Sequence, residues 1–120
     1  MTSNRKTLSL RLPKQEDGTA DEAKAIITYG IAHLLSLRAT YNRGMVILAP
    51  HILYKRHDEP YVDAVVVERD GSKPSEVKLG TFKLSGLRGL AMTSEPFAPF
   101  GEFDPNAPRY AEGVIARVGS

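Results

Sequence analysis

The side chains able to perform acid–base or metal chemistry are few and scattered along the chain. The histidines are His33, His51 and His57, and the last two flank one predicted strand without the i, i+4 spacing of a helical metal site. The paired carboxylates lie in predicted turns or at a helix start, where acids serve capping and solubility. Cysteine is absent, which excludes thiol nucleophiles, disulfides and thiolate metal sites. The sequence therefore predicts no metal site and no catalytic centre.

Phosphate-cradling loops are also absent from the sequence. Neither G-x-G-x-x-G nor G-x-x-x-x-G-K-[ST] occurs among the 10 glycines. We therefore expect a non-enzymatic protein without a cofactor, one that binds a ligand or polymer and does not transform it.

Aromatic and basic residues alternate on the predicted strands. Tyrosine and phenylalanine rings flanked by lysine and arginine are typical of single-stranded nucleic-acid grooves, where rings stack on bases and cations follow phosphates. The alternative is that the rings, Phe82 among them, fill a core and the lysines face water. The predicted ligand- or nucleic-acid-binding residues are Tyr61, Lys83, Tyr54, Arg56, Lys78 and Arg88.

The overall charge does not identify a partner. Lys and Arg number 16 against 14 Asp and Glu, which gives a formal charge of +2, too small a surplus to indicate nucleic acid by itself. The most apolar stretch, residues 23–37, is interrupted by polar residues, and no apolar run follows the basic N-terminus. These features predict a cytoplasmic protein with no membrane partner.

One helix is predicted ahead of the strands. Residues 1–18 are polar and are interpreted as a flexible arm, in which the alternation of residues 8–12 predicts an edge strand. Thr19 stands three residues before Glu22, the spacing of a capping box, so a helix is expected to begin there. Its apolar stripe consists of Ala23, Ile26, Ile27, Ile31, Leu34 and Leu35.

Short strand-like segments follow the helix at near-regular spacing. Asn42-Arg43-Gly44 predicts a hairpin turn, and residues 57–60 predict the next one. Pro50 is expected to interrupt a ladder because it has no N–H donor. In the strand predicted at residues 77–84 the apolar phase changes at Gly80, which predicts a β-bulge. Five or six such strands favour a small closed barrel with the helix over one opening or side.

The C-terminal part contains aromatic residues among prolines. Phe97, Phe100 and Phe103 lie in this segment, and we expect them to dock back onto the domain. Residues 109–118 are predicted to form a short helix or a strand, and the sequence does not choose between them.

Four segments occur in an order that is known from one protein family. They are Leu37-Arg38-Ala39-Thr40-Tyr41, Ala49-Pro50-His51-Ile52-Leu53-Tyr54, Pro60-Tyr61-Val62-Asp63-Ala64 and Gly80-Thr81-Phe82-Lys83-Leu84-Ser85-Gly86-Leu87. This order resembles the WYL domain, which is named for a Trp-Tyr-Leu run on a central strand. The resemblance implies an Sm-like or SH3-like five-stranded barrel preceded by a helix, and it covers residues 26–103.

The resemblance also implies a class of function. WYL domains are associated with bacterial transcription regulators and defence systems, where they are thought to bind nucleic acid or a nucleotide-like anion. This chain has Pro60 and Val62 in place of the tryptophan and leucine, and Gly80 and Gly86 at positions where the family usually has arginines. Because only a short segment precedes the helix, we expect a free-standing, divergent member.

The expected layout is an arm at residues 1–18, a helix and barrel at 19–103, and a docking tail at 104–120. The expected role is a regulatory or accessory module that binds single-stranded nucleic acid or a nucleotide-like anion. The alternative is a protein-interaction or homodimerising subunit that has lost the ligand site.

Overall fold

The computed structural model describes residues 19–119, so the predicted arm with its edge strand lies outside the described residues. The predicted helix is confirmed: α1 spans Ala20–His33 and begins with the capping box. The Glu22 amide donates to the Thr19 hydroxyl at 3.1 Å, and the Thr19 amide donates to the Glu22 carboxylate at 3.0 Å. The buried face of the helix includes Ile27, Gly30 and Ile31. The helix ends at Leu34, which adopts the left-handed conformation with φ 56°.

Six antiparallel strands form one sheet behind the helix. They are β1 Leu35–Tyr41, β2 Gly44–Arg56, β3 Glu59–Arg69, β4 Leu79–Lys83, β5 Arg88–Pro96 and β6 Val114–Arg117. The sheet order is β4-β3-β2-β1-β5, with β6 paired to β2. The predicted mainly β fold with a helix before it is confirmed.

The sheet is not closed, so the predicted closed barrel is not what the structure shows. β4 and β5 lie at opposite ends of the strand order. A single 3₁₀ turn at Leu84–Gly86 joins them. An open cleft lies against this connection, lined by the end of β4, the start of β5, the start of β3 and the first residues of α1.

Two-residue turns set the register of the meander. Asn42 and Arg43 have φ values of 49° and 65°, and His57 and Asp58 have 53° and 63°. Positive φ at both central residues defines the type I′ turn, whose twist matches that of antiparallel strands. Both predicted turns are thereby confirmed, with Tyr41 paired to Gly44 and Arg56 paired to Glu59.

Strand β2 uses one edge for two partners. Its first half pairs with β1 as far as Leu48, and its second half pairs with β6 from Ile52 onward. Pro50 lies between these partners, so the ladder on this edge is interrupted at Pro50, as expected, while β2 itself continues through it. The pairing with β3 shifts register between Pro50 and Ile52, which leaves His51 as the extra residue of a bulge.

The predicted bulge at Gly80 is wrong. β3 and β4 pair without a shift from Tyr61 opposite Lys83 to Val65 opposite Leu79. Val77 precedes β4 and is exposed, so no change of phase has to be accommodated within the strand. Gly80 instead lies under the Phe82 ring, and a Cβ there would stand 3.3 Å from Phe82 Cε1.

Two layers cover the two faces of the sheet. The main core lies between α1 and one face, and includes Ile27, Leu37, Val46 and Phe82. On the other face a second cluster of Ile52, Tyr54 and Tyr110 lies under the C-terminal segment. That segment contains both a 3₁₀ turn at Pro108–Tyr110 and the strand β6. Within residues 19–119, no helix is long and apolar enough to cross a membrane.

Candidate functional site

The strand register brings three of the predicted binding residues into one row. Tyr54 on β2 pairs with Tyr61 on β3, and Tyr61 pairs with Lys83 on β4. Directly opposed residues of neighbouring strands project from the same face of a sheet. The row therefore combines two tyrosines and one cation on the face that the C-terminal segment covers.

Tyr54 lies at the buried end of this row. Its side chain is 0% exposed, and its hydroxyl donates to the Asp63 carboxylate at 2.7 Å. The Tyr54 ring packs edge-on against Tyr110, with 4.7 Å between ring centroids. Its ring therefore offers no open face to a base, and it supports Tyr61, with which it stacks at 6.0 Å.

Lys83 lies at the accessible end of the row. Its ammonium is 3.1 Å from the Glu59 carboxylate, and both side chains are about half exposed. The pKa of Lys83 is raised above its ordinary value, mainly by the hydrogen bond to Glu59 and by the negative charge of the same carboxylate. A smaller electrostatic contribution comes from Tyr61. Lys83 is thus a cation beside the partly buried Tyr61 ring. An anionic ligand would have to compete with Glu59 for it.

Lys83 also borders the cleft between β4 and β5. This cleft has a volume of about 380 Å³. Lys83 and Arg88 contribute cations to it, Ser85 contributes a hydroxyl, and Glu59 contributes a carboxylate. The rest of the lining consists of Thr19, Ala20, Ala23, Pro60, Leu84 and Leu87.

The other two predicted cations are not brought into the cleft. Arg56 is exposed at the end of β2, paired with Glu59 across the hairpin. Lys78 is exposed just before β4, roughly 16 Å from Lys83 at about 3.3 Å per strand residue. Of the six predicted residues, the structure therefore gathers Lys83 and Arg88 at the cleft and places Tyr61 next to Lys83.

Sequence reasoning missed a buried polar cluster around Asp63. This carboxylate is 0% exposed and accepts hydrogen bonds from Tyr54 at 2.7 Å and from Tyr110 at 2.6 Å. Arg109 lies 3.3 Å from the same carboxylate and 3.2 Å from the Thr81 hydroxyl. The available signal was an acid in the middle of the valine-rich strand β3, since a buried charge requires partners.

The same cluster shifts the titration of both tyrosines. Burial, and then the hydrogen bond to Asp63, raises the pKa of Tyr54 to about 12. Burial, followed by the hydrogen bond to Asp63, also raises the pKa of Tyr110 well above its ordinary value. Both hydroxyls therefore stay protonated and donating at neutral pH, and the cluster fastens the C-terminal segment to β2 and β3.

Comparison with family models, curated proteins and solved structures found no match.

Chemically, the cleft is suited to binding an anion. It offers charge and a hydroxyl at the rim and apolar side chains along the wall. Among residues 19–119, no three histidine or acidic side chains are grouped so that they could hold a metal ion.

Proposed function

We propose that this chain is a WYL-like regulatory or accessory module that binds a small, nucleotide-like anion in the cleft between β4 and β5. The observation that carries the proposal is the placement of Lys83, Arg88 and Ser85 around one cavity of about 380 Å³. Pockets for small ligands are commonly apolar, with a few well-placed polar groups that fix orientation.

The strand order supports the fold that the family resemblance implies. β1 pairs with both β2 and β5, while β4 stands at the other end of the order. A meander whose fifth strand returns to its first strand is the arrangement of a small barrel that is open on one side. In this proposal the opening between β4 and β5 is the ligand site of an Sm-like or SH3-like barrel.

The two glycines at the family's arginine positions fit this view. Neither Gly80 nor Gly86 can supply a side-chain contact to an anion, and Gly86 stands against Tyr41, whose ring would be 3.6 Å from an added Cβ. Lys83 and Arg88, each two or three residues away in sequence, take over the cationic role. The binding chemistry is then retained at shifted positions.

The geometry favours a small anion over a long single strand. A strand-binding groove needs several open rings and cations in line, whereas Tyr54 is buried and Lys78 lies at the far end of β4. The apolar wall formed by Ala23, Leu84 and Leu87 would receive the uncharged part of the ligand. Its phosphate or carboxylate would then meet Lys83 at the rim.

Replacing Lys83 with glutamine is expected to weaken anion binding about tenfold, because a charge-assisted hydrogen bond contributes about 1.5 kcal/mol or more. Calorimetric titration with adenosine monophosphate and with inorganic phosphate measures the loss, and Arg88→Gln is expected to act in the same direction. The matched control is Lys78→Gln, which removes an exposed lysine that lies outside the cleft lining.

The titration is repeated with a labelled oligothymidylate at about 50 and about 200 mM salt. Saturable binding of the oligonucleotide but not of the monophosphate would favour the nucleic-acid version of the function. Equal affinities for the Lys83→Gln and Lys78→Gln variants would contradict the cleft as the site.

Replacing Glu59 with glutamine is expected to tighten anion binding several-fold. The substitution removes the carboxylate that now holds Lys83 at 3.1 Å, so an incoming anion no longer has to displace it. The same calorimetric titration measures the gain. Asp58→Asn is the control, since this neighbouring acid pairs with Lys55 at 3.5 Å and lies outside the cleft lining. Unchanged or weaker binding by the Glu59 variant would contradict this competition.

A protein-interaction role is the second candidate, and it has its own supporting observation. Tyr29 is half exposed on α1 and stacks on His33, with 4.1 Å between ring centroids. Val114 and Ile115 are also exposed, on β6. Light scattering over a range of concentrations distinguishes a homodimer from a monomer. A dimer that binds neither adenosine monophosphate nor inorganic phosphate would favour this role.

A further inference from the structure

Residues 97–103, which we term the strap, lie beside β2 with few attachments, and the Phe97 and Phe103 rings are partly buried against the main core. The Phe97 amide donates to the Leu34 carbonyl at 2.9 Å, and the Phe103 amide donates to Phe100 within the strap itself. Between them, the Phe100 amide donates to Nε2 of His51 at 2.8 Å. One side chain of β2 therefore supplies the central hydrogen bond that holds the strap to the sheet.

His51 is positioned for this contact by the bulge in β2. Its side chain is 0% exposed, and its ring lies between Phe97 and Phe103, with centroid distances of 5.3 and 5.4 Å. The extra residue of a bulge is turned out of the regular alternation. The ring is thereby enclosed by apolar groups of the strap.

The two hydrogen bonds of the ring specify its protonation state. Nε2 must accept, because the Phe100 amide can only donate. Nδ1 lies 2.9 Å from the Ala49 carbonyl, which can only accept, so Nδ1 carries the proton. Only the neutral Nδ1–H tautomer satisfies both bonds. A second proton on Nε2 would oppose the Phe100 N–H and break the contact.

The surroundings of the ring also favour the neutral form. Burial lowers the pKa of His51 below its ordinary value of 6.5, and this effect outweighs the hydrogen bond to Ala49, which acts in the opposite direction. The charged residues on the neighbouring elements are Asp63 on β3 and Arg117 on β6, each paired with Ile52 next to His51, and the exposed Glu102 on the strap. The Asp63 carboxylate is already engaged by its tyrosine donors.

We propose that the strap is a pH-sensitive latch, which neutral His51 holds closed against the sheet and protonated His51 releases. The contribution of His51 to closure is complete above its ordinary pKa and is lost as the pH falls from there through the lower value in the folded protein. Release exposes the Phe97 and Phe103 rings together with the part of the core that they cover. Acidification thus changes the surface of the domain without unfolding the sheet.

Amide hydrogen exchange of the wild-type protein tests the latch. From about pH 7.5 to about pH 5, and after correction for intrinsic exchange, the protection of the Phe100 amide is expected to fall by up to about tenfold per pH unit between the ordinary histidine pKa and the lower pKa of His51 in the closed state. The internal control is the Val118 amide, which donates to the His51 carbonyl at 2.9 Å and does not depend on the ring. It is expected to stay protected.

Two outcomes would overturn the latch. One is constant protection of Phe100 over the whole pH range, and the other is a parallel loss at Phe100 and Val118, which indicates general unfolding. A His51→Gln variant provides a second readout, because glutamine cannot titrate in this range. Its Phe100 protection is expected to be independent of pH, whatever its absolute level, and pH-dependent protection in this variant would equally count against His51 as the sensor.

Discussion

Asp63→Asn is expected to lower the free energy of unfolding by about 2–4 kcal/mol. The carboxylate is 0% exposed and accepts from two tyrosine hydroxyls, and hydrogen bonds to charged groups contribute about 1.5–3 kcal/mol each. Asparagine is uncharged and keeps only one carbonyl oxygen, so both charge-assisted bonds are lost and one tyrosine hydroxyl has to turn to accept from the new amide. The Arg109 side chain is 48% exposed, so the loss of its ion pair with Asp63 adds little to the change in the free energy of unfolding.

Urea denaturation measures this change, and the matched control is Asp58→Asn. The Asp58 side chain is 94% exposed, and asparagine tolerates its positive φ, so we expect a change below about 0.5 kcal/mol. Tyr54→Phe and Tyr110→Phe each remove one hydrogen-bond donor to Asp63. Their loss of stability is expected to lie between that of Asp63→Asn and that of Asp58→Asn. A stability of Asp63→Asn equal to that of the control would show that the cluster does not hold the C-terminal segment.

Gly30→Ala is expected to destabilise the protein by about 1–3 kcal/mol, although alanine is the better helix former by about 1 kcal/mol. Gly30 is buried in α1 where the helix meets the sheet. An added Cβ would stand 2.9 Å from the Leu35 carbonyl oxygen and 3.1 Å from Leu37 Cδ2. Since the nearer atom belongs to the backbone, the helix itself must shift to make room.

Thermal and urea unfolding measure the effect of Gly30→Ala against a matched substitution in open space. Gly101→Ala is that control, because no atom lies within 4 Å of the position that its Cβ would take. We expect it to be neutral or slightly stabilising. A stabilised Gly30→Ala variant would mean that helix propensity outweighs the close approach of α1 to β1.

The local elements of this fold were accessible from the sequence, because the interactions that define them lie within a few residues. The Thr19 and Glu22 pair fixes the helix start through contacts three residues apart. The turns at residues 42–43 and 57–58 set hairpin registers in the same way. Pro50 shows the limit of local rules, because the effect of its missing N–H depends on which strand lies beside it.

The candidate site was accessible only in part. Lys83 and Tyr61 were chosen as a cation and a ring on strands and Arg88 as a nearby cation, and the structure groups Lys83 with Arg88 around one cleft. The same reasoning could not distinguish Tyr61 from Tyr54, because the two tyrosines are equally strand-like in sequence. The C-terminal segment decides between them, since Tyr110 packs against Tyr54 from 56 residues away.

By itself, the sequence determined a mainly β protein led by a capped helix, with hairpins at defined turns and no cysteine chemistry. The tertiary structure decided that the sheet stays open between β4 and β5 and that a cleft forms where their connecting turn meets the start of α1. It also decided that His51 and Asp63 hold the C-terminal segment through contacts 49 and 47 residues distant in sequence. Periodicity and turn chemistry act over a few residues, whereas the closure of a sheet and the partners of a buried charge depend on segments that meet only after folding.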